Sequence, residues 1–240
     1  MKRHCKRIAV SLLAFVFALM LVPVASARAG GGGGSGGGGG HSSSSHSANR
    51  RSSNPLSTVL GAAFVCIMAS GGAIVFSFKV HAKHRKTKRL MEQLAKVDSS
   101  WDNKIFSTRM ETIFYTVQEA WAQRNQEIAR DCMSQSLYEQ YNAKSQWMII
   151  RHEKNILKDM KLLEAMPIDV NDFEGDSHDS IWVYIKARMV DYTIDDRTMQ
   201  MISGSKSSTR FEEYWKLVKE NGRWVLDEIR QKNEFDFHSI

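Results

Sequence analysis

The sequence predicts an α+β domain, three helices followed by a four-stranded, mainly antiparallel sheet, preceded by a hydrophobic helix. Three observations carry this prediction. Apolar residues recur at helical spacing between residues 101 and 124, aliphatic residues alternate at Ile181, Val183, Ile185, Ala187 and Met189, and an Asn221-Gly222 pair separates two apolar runs near the end. Helices first and strands afterwards is the order of an α+β architecture, with the helices gathered on one face of the sheet.

The first helix of the domain is read from Phe106, Met110, Ile113, Phe114, Val117 and Trp121, which line one face at a period of 3.6, with Ser99 and Asp102 as a capping box ahead of them. A short helix over residues 125–132 follows. A longer one begins near Ser136, with Glu139 three residues on, and carries Leu137, Tyr138, Tyr141, Trp147, Met148 and Ile150. After Met160 the period changes to that of strands, over residues 161–170, 181–194, 209–219 and 223–231. Asn-Gly between Tyr214–Val218 and Trp224–Leu226 is a strong hairpin signal, because both residues tolerate the positive φ that the tight turn requires.

Ahead of the domain the chain is organised by hydropathy. Residues 1–27 read as a signal peptide: a basic start, an apolar run over 8–24, and Ala25-Ser26-Ala27 as the cleavage site. The alternative is an uncleaved membrane helix, since that run is at the short end of the length that spans a bilayer. Residues 28–54 are rich in Gly and Ser and bury too little apolar surface to offset the entropy of ordering, so they are expected to form a disordered linker. His41 and His46 lie in it without a third metal ligand, and no metal or cofactor is expected.

Residues 55–78 form the strongest hydrophobic signal, about 23 uncharged positions at 1.5 Å rise per residue, which suffices for a transmembrane helix. Asn54 is expected as its cap and Pro55 as its first residue. Ser57, Gly61, Ala69, Gly72 and Ala73 are small enough for close helix approach, which leaves homo-oligomerisation open.

The net charge of +7 is unevenly distributed. Residues 1–97 hold fourteen Lys/Arg against the single Glu92, whereas residues 98–240 hold nineteen against twenty-five Asp/Glu. The foldable part is therefore acidic, and nucleic acid is excluded as an expected partner. Lys79, Lys83, Arg85, Lys86, Lys88 and Arg89 form a basic neck over residues 79–97, directly after the span. The positive-inside rule puts the neck and the domain on the cytoplasmic side of the cell membrane, with these six residues facing anionic lipid headgroups. Cys132 is the single cysteine of the globular part, so no disulfide forms within it.

Glu119-Ala-Trp121, Leu137-Tyr-Glu-Gln-Tyr141, Phe211-Glu-Glu-Tyr-Trp-Lys-Leu-Val218 and Trp224-Val-Leu-Asp-Glu-Ile229 together resemble the C-terminal domain of the mitochondrial inner-membrane import translocase, subunit forty-four. The resemblance covers roughly residues 105–231. It implies a cone-shaped fold of the nuclear-transport-factor-2-like type, with a curved sheet, a deep apolar pocket, and a role in membrane association and protein tethering. The long N-terminal region with which the mitochondrial protein engages channel and motor has no counterpart here, so motor recruitment is not implied. Trp121, Tyr141, Trp147, Met189, Asp191 and Trp215 are the expected pocket-lining residues.

Related cone folds host enzymes, which makes an enzyme or a small hydrophobic-ligand binder the alternative, with His152, His178, Asp191 and Tyr192 as candidate groups. Two motifs fail on inspection. His152-Glu153 is not completed, because Ile156 stands where a zinc motif needs histidine, and Gly204-Ser-Lys-Ser207 lacks the glycines of a phosphate loop. The acidic residues Asp169, Asp172, Glu174, Asp176 and Asp179 are read as a solvated loop. The expectation is a non-enzymatic, single-pass membrane scaffold that tethers a protein or lipid partner at the cytoplasmic face, in protein transport or membrane-protein assembly.

Overall fold

The computed structural model describes residues 28–30, 55–173 and 179–237, with backbone alone for 55–74. The expected signal peptide, linker residues 31–54, Asn54 and the loop residues Glu174, Asp176 and His178 lie outside these residues. The elements run α1 (Pro55–Leu94), a 3-10 turn (Ser99–Trp101), α2 (Asn103–Gln123), a 3-10 segment (Gln126–Cys132), α3 (Gln135–Ile150), then β1 (Glu153–Asn171), β2 (Ser180–Asp195), β3 (Met201–Glu220) and β4 (Arg223–Gln231). The four strands form one antiparallel sheet in sequence order.

Residues 56–78 are helical and continue without interruption into the basic stretch. Among the described residues no helix is long and apolar enough to cross a membrane, and the side chains of 56–74 are outside that set. From Phe76 onward α1 is part of the folded body. Val80, Thr87 and Met91 are buried, and their spacing of seven and four keeps one helix face on the sheet. The stretch expected as a basic, lipid-facing neck is thus an amphipathic helix docked along β1, where His84 Nδ1 lies 3.0 Å from the Pro167 carbonyl oxygen.

Each domain helix starts at a side-chain cap. Asp102 itself caps α2, accepting from the backbone N–H groups of Lys104 and Ile105, while Asp98 caps the 3-10 turn through Ser100, so the expected Ser99–Asp102 box is replaced by two successive Asp caps. Ser134 caps α3 by accepting from the Leu137 N–H at 3.2 Å. Arg124 closes α2 in the left-handed region, φ 54°, and its guanidinium reaches Asp196 at 2.7 Å.

Two strands are longer than the alternation predicts. β1 begins at Glu153, and its period is broken by three register shifts, between Lys158 and Lys161, Leu162 and Glu164, and Pro167 and Asp169. Such bulges insert unpaired residues that erase the two-residue period from the sequence. β3 begins at Met201, ahead of the strand expected from residue 209, and Met201–Ser205 pairs with Asp191–Ile194 of β2. The hairpin forms as expected, with Asn221 at φ 51° and Gly222 at φ 73° between the paired Glu220 and Arg223.

The sheet separates two cores. On one face Met110, Ile113, Phe114 and Val117 of α2 pack with Leu137 and Tyr141 of α3 onto the inward residues of β2 and β3. The opposite face carries Trp182, Tyr184 and Tyr214, covered by Val80 of α1 and by Phe235 beyond β4, whose ring stacks on Tyr214 at 3.8 Å between centroids. Along the outer edge of β4, Met133 forms a parallel bridge with Leu226, the Ser134 N–H donates to the Leu226 carbonyl at 2.8 Å, and Arg109 Nε donates to the Trp224 carbonyl at 2.9 Å.

Candidate functional site

The helix-covered face of the sheet contains a polar site inside an apolar core. Inward positions of β2 run Ile181, Val183, Ile185, Ala187, Met189, and the next step of the same alternation is Asp191, which is 5% exposed. On β3 the inward series is Phe211, Glu213, Trp215, Leu217, which puts the Glu213 carboxylate at 0% exposure. A bulge between β3 and β4 then shifts the period of β4, so that Ile229 and Gln231 face the same side as Trp224 and Leu226. Gly204, at φ 91°, sits in the β2–β3 irregularity beside Asp191, where a Cβ would lie 2.5 Å from the Asp191 carbonyl oxygen.

Buried carboxylates need compensating donors and a cation, because leaving them unpaired costs several kcal/mol. Here these come from Arg28-Ala29-Gly30. Arg28 Nε donates to Glu213 Oε1 at 2.8 Å, its Nη1 lies 3.6 Å from Asp191 Oδ2, and its guanidinium stacks 3.8 Å from the Phe211 ring centroid. Glu213 also accepts from Gln231 Nε2 at 2.9 Å and from Trp215 Nε1 at 3.0 Å.

The backbone of the segment is held as closely as its side chain. The Arg28 N–H donates to Asp191 Oδ2 at 3.2 Å, the Ala29 N–H donates to Gln118 Oε1 at 3.1 Å, and the Gly30 carbonyl accepts from Gln231 Nε2. Ala29 is fully buried. Gly30 adopts φ 82°, and a Cβ there would meet Ile229 Cγ2 at 2.4 Å, so both conformation and space select glycine. The Tyr141 hydroxyl is pushed well above its ordinary pKa, first by burial and then by the Glu213 charge, while a hydrogen bond with the Gly30 backbone opposes them. Gln118 Nε2 is buried with no acceptor among the described residues.

Of the residues expected to line the pocket, the structure brings Trp121, Tyr141, Met189 and Trp215 into one buried cluster that includes Ala29, with Asp191 contacting the neighbouring Arg28. Trp147 does not join them. It is 64% exposed, because α3 turns the Leu137, Tyr141 and Met148 side inward and Trp147 falls on the opposite side. Where the resemblance implies an apolar pocket, the structure shows apolar packing around a polar centre, the Asp191–Glu213 pair, occupied by Arg28-Ala29-Gly30. Gln118, Phe211, Glu213, Ile229 and Gln231 were not expected there. A carboxylate at position 213, inside an inward apolar alternation, is the sequence signal that points to them.

Elsewhere the expected groups are dispersed. His152 Nδ1 lies 3.3 Å from Asp196 Oδ1 at a half-exposed corner, and Lys206 of the Gly204–Ser207 stretch stands 5.9 Å from the Tyr192 ring centroid. Asp179 is not solvated. Asp179 and Lys219 are both 2% exposed, with Lys219 Nζ 3.8 Å from Asp179 Oδ2 and paired also with Asp98. Lys79, Arg85, Lys86, Lys88 and Arg89 are exposed on α1, whereas Lys83 is half-buried with its Nζ 5.0 Å from the Phe237 ring centroid.

Comparison with known proteins gives three results. Among solved structures, the chain is similar to the intermembrane space region of the chloroplast protein ARC6, with a TM-score of 0.36 and 8% identity over 51% of this chain and 92% of that one. Among curated proteins there is no match. A family model, the Tim44-like domain, matches residues 87–231, from the docked part of α1 to the last residue of β4. The chain therefore belongs to the Tim44-like domain family.

Proposed function

We propose that this protein is a membrane-associated scaffold of protein transport, in which α1 holds the domain at the cytoplasmic face of the cell membrane and the pocket on the helix-covered face of the sheet captures a partner polypeptide. The observation that carries this reading is that the pocket addresses backbone. Asp191, Gln118 and Gln231 each bond a main-chain group of a short turn segment, an arrangement suited to peptides rather than to a small metabolite. The family supports the transport role. The exposed basic residues of α1 contribute lipid attraction, on the order of 1 kcal/mol per charge near an anionic surface.

Photo-crosslinking in native membranes from a probe at Phe211 tests the scaffold, with a polypeptide adduct expected and a small-molecule adduct alone contradicting it. The topology is tested separately with Val97→Cys, a 95% exposed position beside α1. An impermeant thiol reagent is expected to label it only after cells are opened. Cys132 stays silent in this assay because it is buried, and burial raises its thiol pKa.

A further inference from the structure

We infer that the pocket is a sequence-selective site for an arginine, small residue, glycine peptide, with Arg28-Ala29-Gly30 as a resident copy of that ligand supplied by the chain itself; this rests on the peptide-capture reading above. Each position is read by a different physical constraint. The arginine is selected by two buried carboxylates at different angles and an aromatic face, which a lysine ammonium cannot engage together. The second residue is limited to a small side chain by its complete burial in the core cluster that also holds Trp121, Tyr141 and Trp215. The third is limited to glycine by its positive φ and by Ile229. The unused Gln118 Nε2 donor is available to a further carbonyl of a longer ligand.

The resident copy has a topological consequence. Residues 31–54 connect Gly30 to α1, and a Gly/Ser chain cannot return through hydrocarbon with its amides unsatisfied. If residues 56–75, the part of α1 before the folded body, cross the bilayer with the domain in the cytoplasm, Arg28 of the same chain lies on the far side. Docking of the resident segment and insertion of the span therefore exclude one another. In the inserted state the site is open to an arginine-led segment of another polypeptide on the domain's side.

The test uses the full chain and a fluorescent Arg-Ala-Gly-Gly-Gly peptide. In detergent, the Ala29 amide of the wild type should be protected from hydrogen exchange, and Gly30→Val should abolish that protection and raise peptide affinity by roughly tenfold or more, as expected for removing an internal competitor. Peptides beginning Lys-Ala-Gly or Ala-Ala-Gly should bind the Gly30→Val chain at least about tenfold more weakly, from the loss of charge-assisted hydrogen bonds. These ligand changes leave the protein untouched, so their effect cannot be assigned to misfolding. Unprotected Ala29 in the wild type, or equal binding of all three peptides, overturns the inference.

In vesicles of phosphatidylethanolamine and phosphatidylglycerol with the domain facing outward, the wild type should bind the peptide as well as Gly30→Val does. If Ala29 stays protected and the peptide is refused there, the pocket chemistry stands and the cytoplasmic reading fails. If the peptide binds selectively but crosslinking in cells yields no polypeptide, the scaffold reading fails alone.

Discussion

The two faces of the sheet are closed in different ways. The outer face is packed by aromatic contacts, Tyr214 against Phe235 and Tyr184 against Phe76, supplied by α1 and by the residues that directly follow β4, with a cavity of about 230 Å³ left beside Phe76, Val80, Met166 and Tyr184. The helix-covered face is sealed over most of its area by α2 and α3, but its last piece is a tripeptide more than a hundred and sixty positions from the Asp191 and Glu213 that hold it. Aromatic burial tolerates no exchange, since opening it exposes apolar surface to water. A carboxylate pair can lose its ligand at smaller cost, because water rehydrates the charges once the site opens. Under the proposed peptide-capture reading, one face serves stability and the other occupancy.

The largest effect that sharpens this contrast is expected from Trp215→Ala, which removes a fully buried indole and the Glu213 donor together and should cost about 3–5 kcal/mol in urea unfolding. Phe235→Ala should cost about 3 kcal/mol by the same measurement, most of it from lost contact with Tyr214 and Trp182. Arg28→Ala should cost only about 1–2 kcal/mol, below the 3–5 kcal/mol typical of deleting one partner from a sealed ion pair, because the segment leaves and the carboxylates regain water. A cost equal to that of Trp215→Ala would make the segment a fixed core element and break the comparison. The smallest effect belongs to Trp147→Ser, within about 0.5 kcal/mol, as for other exposed positions.

A pH series isolates the cluster at the other end of the sheet. Burial opposes ionisation of Asp98, but hydrogen bonds from Lys219 and Ser100 prevail and hold its pKa below the ordinary carboxylate value. The folded pKa is depressed, so the stabilisation is present above the unfolded value near about 4 and is lost as pH falls through the folded one. Asp98→Asn should therefore flatten the acid limb of a stability profile measured between pH 5 and pH 2.

Much of the fold was legible because its signals are local. The Phe106–Trp121 stripe, the Ile181–Met189 alternation and the Asn221-Gly222 turn each report on a few consecutive residues, and each element formed there. The site was legible only in part. Asp191 could be placed by counting along β2, but Ile229 and Gln231 reach the pocket through a bulge that reverses the parity of β4. The tripeptide has no period at all, and the glycine composition that follows it reads as linker. Its role is set by contacts with residues that local spacing cannot relate to it.

The bridge between Met133 and Leu226, with the Ser134 and Arg109 donors beside it, has a consequence for assembly. An exposed strand edge is a template on which another chain can grow the sheet, by partner addition or by aggregation. Along Trp224–Leu226 the outward carbonyls are already taken, and α1 lies along the opposite border at β1. Growth of the sheet is blocked over these stretches. The same few hydrogen bonds that finish the sheet thus guard this part of its border against pairing with another chain.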